Sequence, residues 1–183
     1  MRKSFLSVFI VSALFAGLFA CKKIIRTLFQ GIDADVPTFS VTLPAIPFAP
    51  PNEVPLGTYS QHFNLDSTVR ANTNNVYSAN DVSSVKVKQI NFTISNPDSL
   101  NNISNFESVR FTFSSNTKTD TVTIASIVFP DTYAAAYTYT PVNAPDLKPY
   151  LNGNVLYYNA FGKLRRITTK PLTLNLQVTL RVQ

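Results

Sequence analysis

The sequence predicts an all-β protein, an antiparallel β-sandwich of the immunoglobulin-like or a similar type, with a barrel as the runner-up. Six apolar residues alternate with polar ones from Leu172 to Val182, which is the pattern of a strand with one buried face. The chain contains 14 Phe and 8 Tyr but only 5 Gly, and abundant aromatic and β-branched residues favour pleated, half-buried surfaces. Further short runs of this kind, separated by polar turns, are typical of a sandwich.

The first part of the folded chain is rich in proline. Residues 33–57 contain six prolines, and because proline has no amide donor this stretch cannot be a central strand throughout. Alternation over residues 39–43 predicts one short strand, and residues 44–55 predict an extended crossover packed on the sandwich. Residues 59–65 predict a second strand, whereas the polar, Asn-rich residues 67–80 predict a loop.

Strand patterns dominate the remainder of the chain. Three further runs rich in apolar residues predict strands at 85–94, 133–139 and 155–161. The first run changes parity near Lys88 and Gln89, which predicts a β-bulge. Residues 106–115 and 120–129 alternate on either side of a short turn, and they predict a β-hairpin.

The first 21 residues differ from all the others. Arg2 and Lys3 give a positive start, a run of 16 mostly apolar residues covers positions 5–20, and Cys21, the only cysteine, follows. This run is shorter than the about 20 residues that a membrane-spanning helix needs. A positive start, a short apolar core and a small residue before the cut are typical of a cleaved secretory signal. We therefore predict that residues 1–20 form a signal helix ahead of the β-domain.

The end of this segment, Leu18-Phe19-Ala20-Cys21, resembles the lipobox of bacterial lipoproteins. The resemblance implies cleavage after Ala20, diacylglyceryl transfer to Cys21 and acylation of its amine, for example with palmitate. Two or three chains on one residue hold a protein stably, whereas one holds it only reversibly. Because Lys22 rather than an aspartate follows the cysteine, the resemblance further implies an outer-membrane location facing the periplasm, with the cell surface as the alternative.

Residues 21–36 are predicted to be an acylated tether, and residues 37–183 a single β-sandwich domain. Apolar residues recur at helical spacing between positions 24 and 32, while Lys22, Lys23 and Arg26 take the other side. A basic amphipathic segment beside a lipid anchor contacts anionic headgroups. A flexible tether, or a helix docked on the domain, is the alternative.

Few residues offer catalytic chemistry. His62 is the only histidine and lies inside a predicted strand, with no nucleophile-elbow motif nearby. Cys21 is committed to lipid, and the scarce glycines provide no phosphate-binding loop. We therefore predict no catalytic residue, no metal site, no cofactor and no enzymatic activity, and we keep a hydrolase that uses His62 as a remote alternative.

Two groups of residues are candidates for binding. The predicted ligand-binding residues are the tyrosines Tyr133, Tyr137, Tyr139, Tyr157 and Tyr158. Tyrosine is enriched in binding surfaces, although cross-strand packing also explains such residues. A basic group lies at the predicted last hairpin, where it either guards a sheet edge or contacts anionic lipid or glycan: Lys163, Arg165, Arg166 and Lys170.

The sequence as a whole predicts a lipid-anchored envelope protein. Its non-enzymatic β-sandwich is expected to be a structural or binding accessory at the outer membrane, and a surface-displayed module that binds glycan or protein is the alternative. The predicted partners are the membrane, through Cys21, and an envelope protein or glycan. Loss of Arg2 and Lys3 with the signal leaves 14 basic against 10 acidic residues, an excess too small to predict nucleic-acid binding.

Overall fold

A computed structural model describes residues 29–183, which form two antiparallel sheets. Their strands are β1 (Ile32–Asp35), β2 (Phe39–Leu43), β3 (Val54–His62), β4 (Val85–Ser95), β5 (Phe106–Ser115), β6 (Val122–Val128), β7 (Ala136–Tyr139), β8 (Val155–Leu164) and β9 (Leu172–Val182). One α-helix, α1 (Leu65–Asn72), lies in this part of the chain, together with 3-10 turns at Ala79–Asp81, Ile103–Asn105 and Lys148–Tyr150. The predicted β-sandwich is confirmed, since the strands form two separate sheets rather than one closed sheet.

The predictions for the N-terminal segment lie outside the described residues. They concern the signal helix, the cleavage at Ala20, the lipid on Cys21 and the headgroup contacts of Lys22, Lys23 and Arg26. None of the helices within residues 29–183 has the length and apolarity required to span a membrane.

Each sheet has a long central pair of strands. The β9 sheet has the order β1-β9-β4-β7, with β2 also paired to β9, and the β8 sheet has the order β3-β8-β5-β6. β1 and β2 share one edge of β9, since Ile32 pairs with Val182 and Leu43 pairs with Leu172. The sandwich therefore begins at Ile32, inside the segment 21–36 that the sequence assigns to the tether. Alternation is too short over four residues for this strand to be recognised.

The core lies between the two sheets and follows the predicted alternation. Five of the six apolar residues of β9 are buried, and the rings of Phe92 and Phe111 meet across the sheets with centroids 5.7 Å apart. Burial of one such side chain contributes about 1.5–3 kcal/mol. The predicted bulge is confirmed between Val87 and Gln89, as is the predicted hairpin of β5 and β6.

The loop predicted over residues 67–80 is wrong, because α1 occupies its first part. Asn64 caps this helix by accepting a hydrogen bond of 2.9 Å from the Ser67 amide. Leu65 and Val69, one helical turn apart, are its two buried residues. A helix that buries so few side chains has a polar composition, and the sequence therefore resembles that of a loop.

The antiparallel register defines two ends of the sandwich. The proximal end is the one where the chain enters at Ile32, beside Val182. The distal end lies at the other end of β9, where Leu172 pairs with Leu43. At about 3.4 Å per residue, the 11 residues of β9 separate the two ends by roughly 34 Å. Four connections cross between the sheets at the distal end, and they are residues 44–53, 96–105, 129–135 and 165–171.

Candidate functional site at the distal end

A pocket of about 510 Å³ opens at the distal end between two of these connections. We call it the distal pocket, and its lining residues are Ser99, Leu100, Ser104, Asn105, Arg166, Ile167 and Thr169. The first four follow β4, and the last three precede β9. The volume falls within the range of about 300–1,000 Å³ that is usual for small-molecule sites.

Buried asparagines shape the first loop of the pocket. The side chain of Asn102 accepts hydrogen bonds from the amide and hydroxyl groups of Ser104, at 3.0 and 2.8 Å. The backbone amide of Asn102 donates in turn to Oδ1 of Asn105, at 2.9 Å. This reciprocal capping closes the 3-10 turn Ile103–Asn105. These hydrogen bonds stabilise a loop that buries Asn102, Ser104 and Asn105 beside Ile103.

Two asparagines join the first loop to the second. Nδ2 of Asn105 donates to the carbonyl oxygens of Leu100 and Ile167, at 2.8 and 2.6 Å. Asn101 donates to the hydroxyl group of Thr169 at 2.9 Å and accepts from its amide at 2.8 Å. Both asparagines are almost fully buried. Because these buried polar groups are satisfied, the floor of the pocket is preorganised.

The crossover 44–53 is fixed to the same end by Thr168. The Thr168 hydroxyl accepts from the amide of Ile46 at 2.8 Å, and the Thr168 amide donates to the Ile46 carbonyl at 3.0 Å. Ile46 packs against the core, as predicted for a packed crossover, whereas Phe48 is 67% exposed. Phe48 therefore belongs to the solvent-facing surface of the distal end.

The two neighbouring arginines have different roles. The guanidinium group of Arg165 donates to the carbonyl oxygens of Ser104, Phe106 and Phe129, at 2.9–3.1 Å, and so holds the backbone around the pocket. The Arg166 guanidinium contacts the carbonyl and hydroxyl oxygens of Ser104 through Nη1, at 3.4 and 3.3 Å, and the Asp131 carboxylate through Nη2. Of the two, only Arg166 lines the pocket.

Each residue of the basic group predicted at the last hairpin has an acidic partner, and Arg165 and Arg166 share Asp131. β8 and β9 lie in different sheets, so the prediction of a hairpin there is wrong. Lys163 pairs with Glu107 at 2.8 Å, and Lys170 pairs with Asp98 at 2.5 Å. The hydrogen bond from Lys170, followed in importance by that from Asn101, lowers the pKa of Asp98 to about 2. The distal end of the sandwich thus carries charges of both signs.

Each of the four distal connections also exposes one large apolar side chain. They are Phe48, Leu100, Tyr133 and Ile167, with exposed fractions of 67%, 64%, 59% and 47%. Leu100 and Ile167 are themselves part of the pocket wall. Exposed apolar groups at a concave site are typical of a binding surface.

The structure does not bring the five predicted tyrosines together. Tyr158 is buried in the core against Phe113, with ring centroids 5.2 Å apart, and burial raises its pKa. Tyr157, its neighbour on β8, faces the opposite side of the sheet between Ser60 and Ser114. Tyr137 and Tyr139 lie on β7 and pack against the core. Tyr133 is the one that belongs to the distal end.

His62 lies far from the distal pocket. It is the last residue of β3, it is exposed, and it pairs with Val155 in the proximal half of the β8 sheet. Within residues 29–183, no three His, Cys, Asp or Glu side chains are grouped closely enough to hold a metal ion.

The residues that build the pocket are not among those predicted from the sequence. Asn101, Asn102 and Asn105 lie in the polar segment between β4 and β5, where apolar periodicity is absent. The available signal was the density of asparagine after the turn Asn96-Pro97-Asp98, since asparagine caps turns and helices through its side chain. That signal predicts an ordered loop but does not predict its partner.

The chain matches no family model and no curated protein. Among solved structures, it is similar to the family 32 CBM from C. perfringens NanJ in complex with galactose, at 10% identity and a TM-score of 0.37, over 80% of this chain and 99% of that chain. It is similar to the decameric BFDV capsid protein at 7% identity and a TM-score of 0.31, over 84% and 98%. A CBM4 structure matches at 13% identity and a TM-score of 0.31, over 82% and 94%. Similarity this weak says nothing about the ligand of this chain.

Proposed function

We propose that this protein is anchored to the outer membrane by lipid on Cys21 and binds an envelope glycan in the distal pocket, without catalysing a reaction. One observation carries the proposal, namely that the chain enters the sandwich and the pocket opens at opposite ends. Cys21 precedes Ile32 by 11 residues, and Ile32 lies at the proximal end. A membrane-held Cys21 would therefore leave the pocket facing away from the bilayer.

The distribution of charge supports this orientation. Residues 29–183 contain 11 basic and 10 acidic side chains, a net charge of +1, whereas Lys22, Lys23 and Arg26 give the tether +3. A basic residue near an anionic leaflet contributes about 1 kcal/mol of attraction. Most of the electrostatic attraction to the membrane would thus act next to the anchor, and the nearly neutral sandwich would remain free to present the pocket towards the periplasm.

The chemistry of the pocket supports a sugar as the ligand. The hydroxyl-bearing side chains Ser99, Ser104 and Thr169 line it beside the guanidinium group of Arg166, and these groups donate to or accept from sugar hydroxyls. Leu100 and Ile167 supply apolar surface for the C–H faces of a sugar ring. A mostly apolar wall with a few convergent polar groups is the usual composition of a ligand site.

The anchor is tested with Cys21→Ser in cells fed a labelled fatty acid. The variant should lose both the label and its place in the membrane fraction, while the unchanged chain keeps both. Retention of the label and of the membrane fraction by the variant would refute the anchor.

Glycan binding is tested by sedimentation of the full-length protein with purified, protein-free envelope glycan. Ile167→Asp places a charge in the pocket wall. It should lower the fraction of the protein that sediments with the glycan at least ten-fold. Val76→Asp is the matched control, because Val76 is also an exposed apolar residue (66%) but lies outside the four distal connections. The proposal would be contradicted if the two variants sedimented with the glycan equally well, or if the unchanged protein did not sediment with it.

Binding of a protein partner at the same end is the second candidate. It is favoured by the exposed side chains of Phe48 and Tyr133 outside the pocket, since aromatic side chains are enriched at binding hot spots. A photo-crosslinker at position 133 in intact envelopes would identify such a partner.

Protease added to intact cells distinguishes a periplasm-facing domain from a surface-displayed one. A surface-displayed domain would be digested, and a periplasm-facing domain would be protected.

A further inference from the structure

The distal pocket is formed at the end of the sandwich and not along it. All of its lining residues come from the connections 96–105 and 165–171, and none comes from a strand. A groove across a sheet face would accept the middle of a long chain. A pocket between two end loops instead accepts a group that enters end-on, such as the terminal unit of a glycan.

A donor and an acceptor lie side by side at the edge of this pocket, since Arg166 lines it and pairs with Asp131 of the neighbouring connection 129–135. The three hydrogen bonds of Arg166 to Ser104 and Asp131 use at most three of the five N–H donors that a guanidinium group has. Oδ1 of Asp131 accepts a hydrogen bond from Arg166 and lies 3.8 Å from Nη1 of Arg165. Oδ2 of Asp131 accepts no hydrogen bond within residues 29–183. Arg166 and Asp131 are both about half exposed, each at 51%. Free N–H groups next to a free carboxylate oxygen match two neighbouring hydroxyl groups, each of which donates and accepts.

The same ion pair disfavours an anionic ligand. Arg166 forms the closer ion pair with Asp131, and Arg165, which approaches Asp131 only to 3.8 Å, is occupied by three backbone carbonyl oxygens. The carboxylate of an acidic sugar would have to displace Asp131 or lie beside it, and like charges in contact repel each other. Replacing the Asp131 carboxylate by the carboxylate of a ligand gains little binding free energy. A neutral hydroxyl group, in contrast, is not repelled by Asp131.

From this geometry we infer that the distal pocket binds a single neutral sugar unit at the end of a glycan and rejects the corresponding acidic sugar. The Arg166–Asp131 pair binds two adjacent hydroxyl groups, and Leu100 and Ile167 contact the ring. The inference rests on the proposed glycan binding and specifies which part of a glycan is recognised.

The test is calorimetry of the full-length protein in detergent micelles with methyl glycosides of glucose, galactose and mannose, and of glucuronic and galacturonic acid. At least one neutral glycoside should bind, and its uronic counterpart should bind at least ten-fold more weakly. Asp131→Asn removes the repulsion and should raise the affinity for the uronic acid relative to the neutral sugar about ten-fold. Arg166→Lys keeps the charge but loses the paired donors, and it should weaken binding of the neutral sugar.

Glu107→Gln is the matched control, because it removes the carboxylate of another half-exposed ion pair, with Lys163, outside the pocket. It should leave both affinities unchanged. Equal or tighter binding of the uronic acid, unchanged discrimination in a folded Asp131→Asn variant, or no binding of any neutral glycoside would overturn the inference. If envelope glycan still sediments the protein in that case, glycan binding stands and only the assignment of a neutral terminal unit fails.

Discussion

Asn105 donates a hydrogen bond of 2.6 Å to the carbonyl oxygen of Ile167, 62 residues further along the chain. The same amide group donates to the carbonyl of Leu100, so one buried side chain fixes the backbone on both sides of the distal pocket. The shape of the site therefore depends on a residue whose own polar atoms are used within the protein.

Asn105→Ala should destabilise the protein strongly. It leaves two backbone carbonyl oxygens without their donor, and a buried unsatisfied polar group costs about 1–3 kcal/mol. We expect the free energy of unfolding, measured with urea, to fall by about 2 kcal/mol or more. Asn175→Ala is the control, because the hydrogen bonds of Asn175 to Ser40 and Ser95 are exposed, and its effect should stay within about 0.5 kcal/mol. Similar losses in the two variants would contradict the role assigned to Asn105.

The Asp98 carboxylate should titrate at unusually low pH. Lys170 and Asn101 lower its pKa from the ordinary 3.8 to about 2. Since the folded-state pKa is depressed, ionised Asp98 stabilises the fold above about pH 4, and this contribution is lost as the pH falls through about 2. A carbon-detected NMR titration should give a midpoint near 2, and Lys170→Gln should raise that midpoint. A midpoint near 3.8 in the unchanged protein would show that the ion pair does not form.

The cap of α1 provides a third prediction. Asn64→Ala removes the acceptor of the Ser67 amide and should lower the free energy of unfolding by about 1 kcal/mol. Asn64→Asp keeps an acceptor at the same place and should preserve most of the stability. An equal loss in both variants would mean that the side chain of Asn64 acts in some way other than as the cap.

The sandwich was predictable because its central strands bury one face each. β9 alternates without interruption over its whole length, and the change of parity before Ile90 located the bulge between Val87 and Gln89. Both signals are local in sequence and come from apolar side chains. The helix α1 gave no such signal, because only Leu65 and Val69 face the core.

The distal pocket could not be predicted for a different reason. β5, β6, β7 and β8 separate Asn105 from Ile167 in the sequence, and hydrogen bonds between loops leave no periodic pattern. In contrast, the separation of the tyrosines could have been predicted from the sequence. Tyr157 and Tyr158 are adjacent in a strand and must face opposite sides of its sheet, so they could not have formed one surface.

The proposed orientation of the sandwich on the membrane can be measured directly because the sequence contains a single cysteine. With Cys21 lipidated, Leu100→Cys and Val76→Cys each introduce one free thiol, the first at the distal pocket and the second next to Tyr77, whose ring contacts Phe29 near the point of chain entry. Each variant is labelled with a fluorophore and reconstituted in vesicles whose lipid headgroups carry a contact quencher. We expect strong quenching at position 76 and little at position 100. Equal quenching at the two positions, or stronger quenching at position 100, would contradict the proposed orientation.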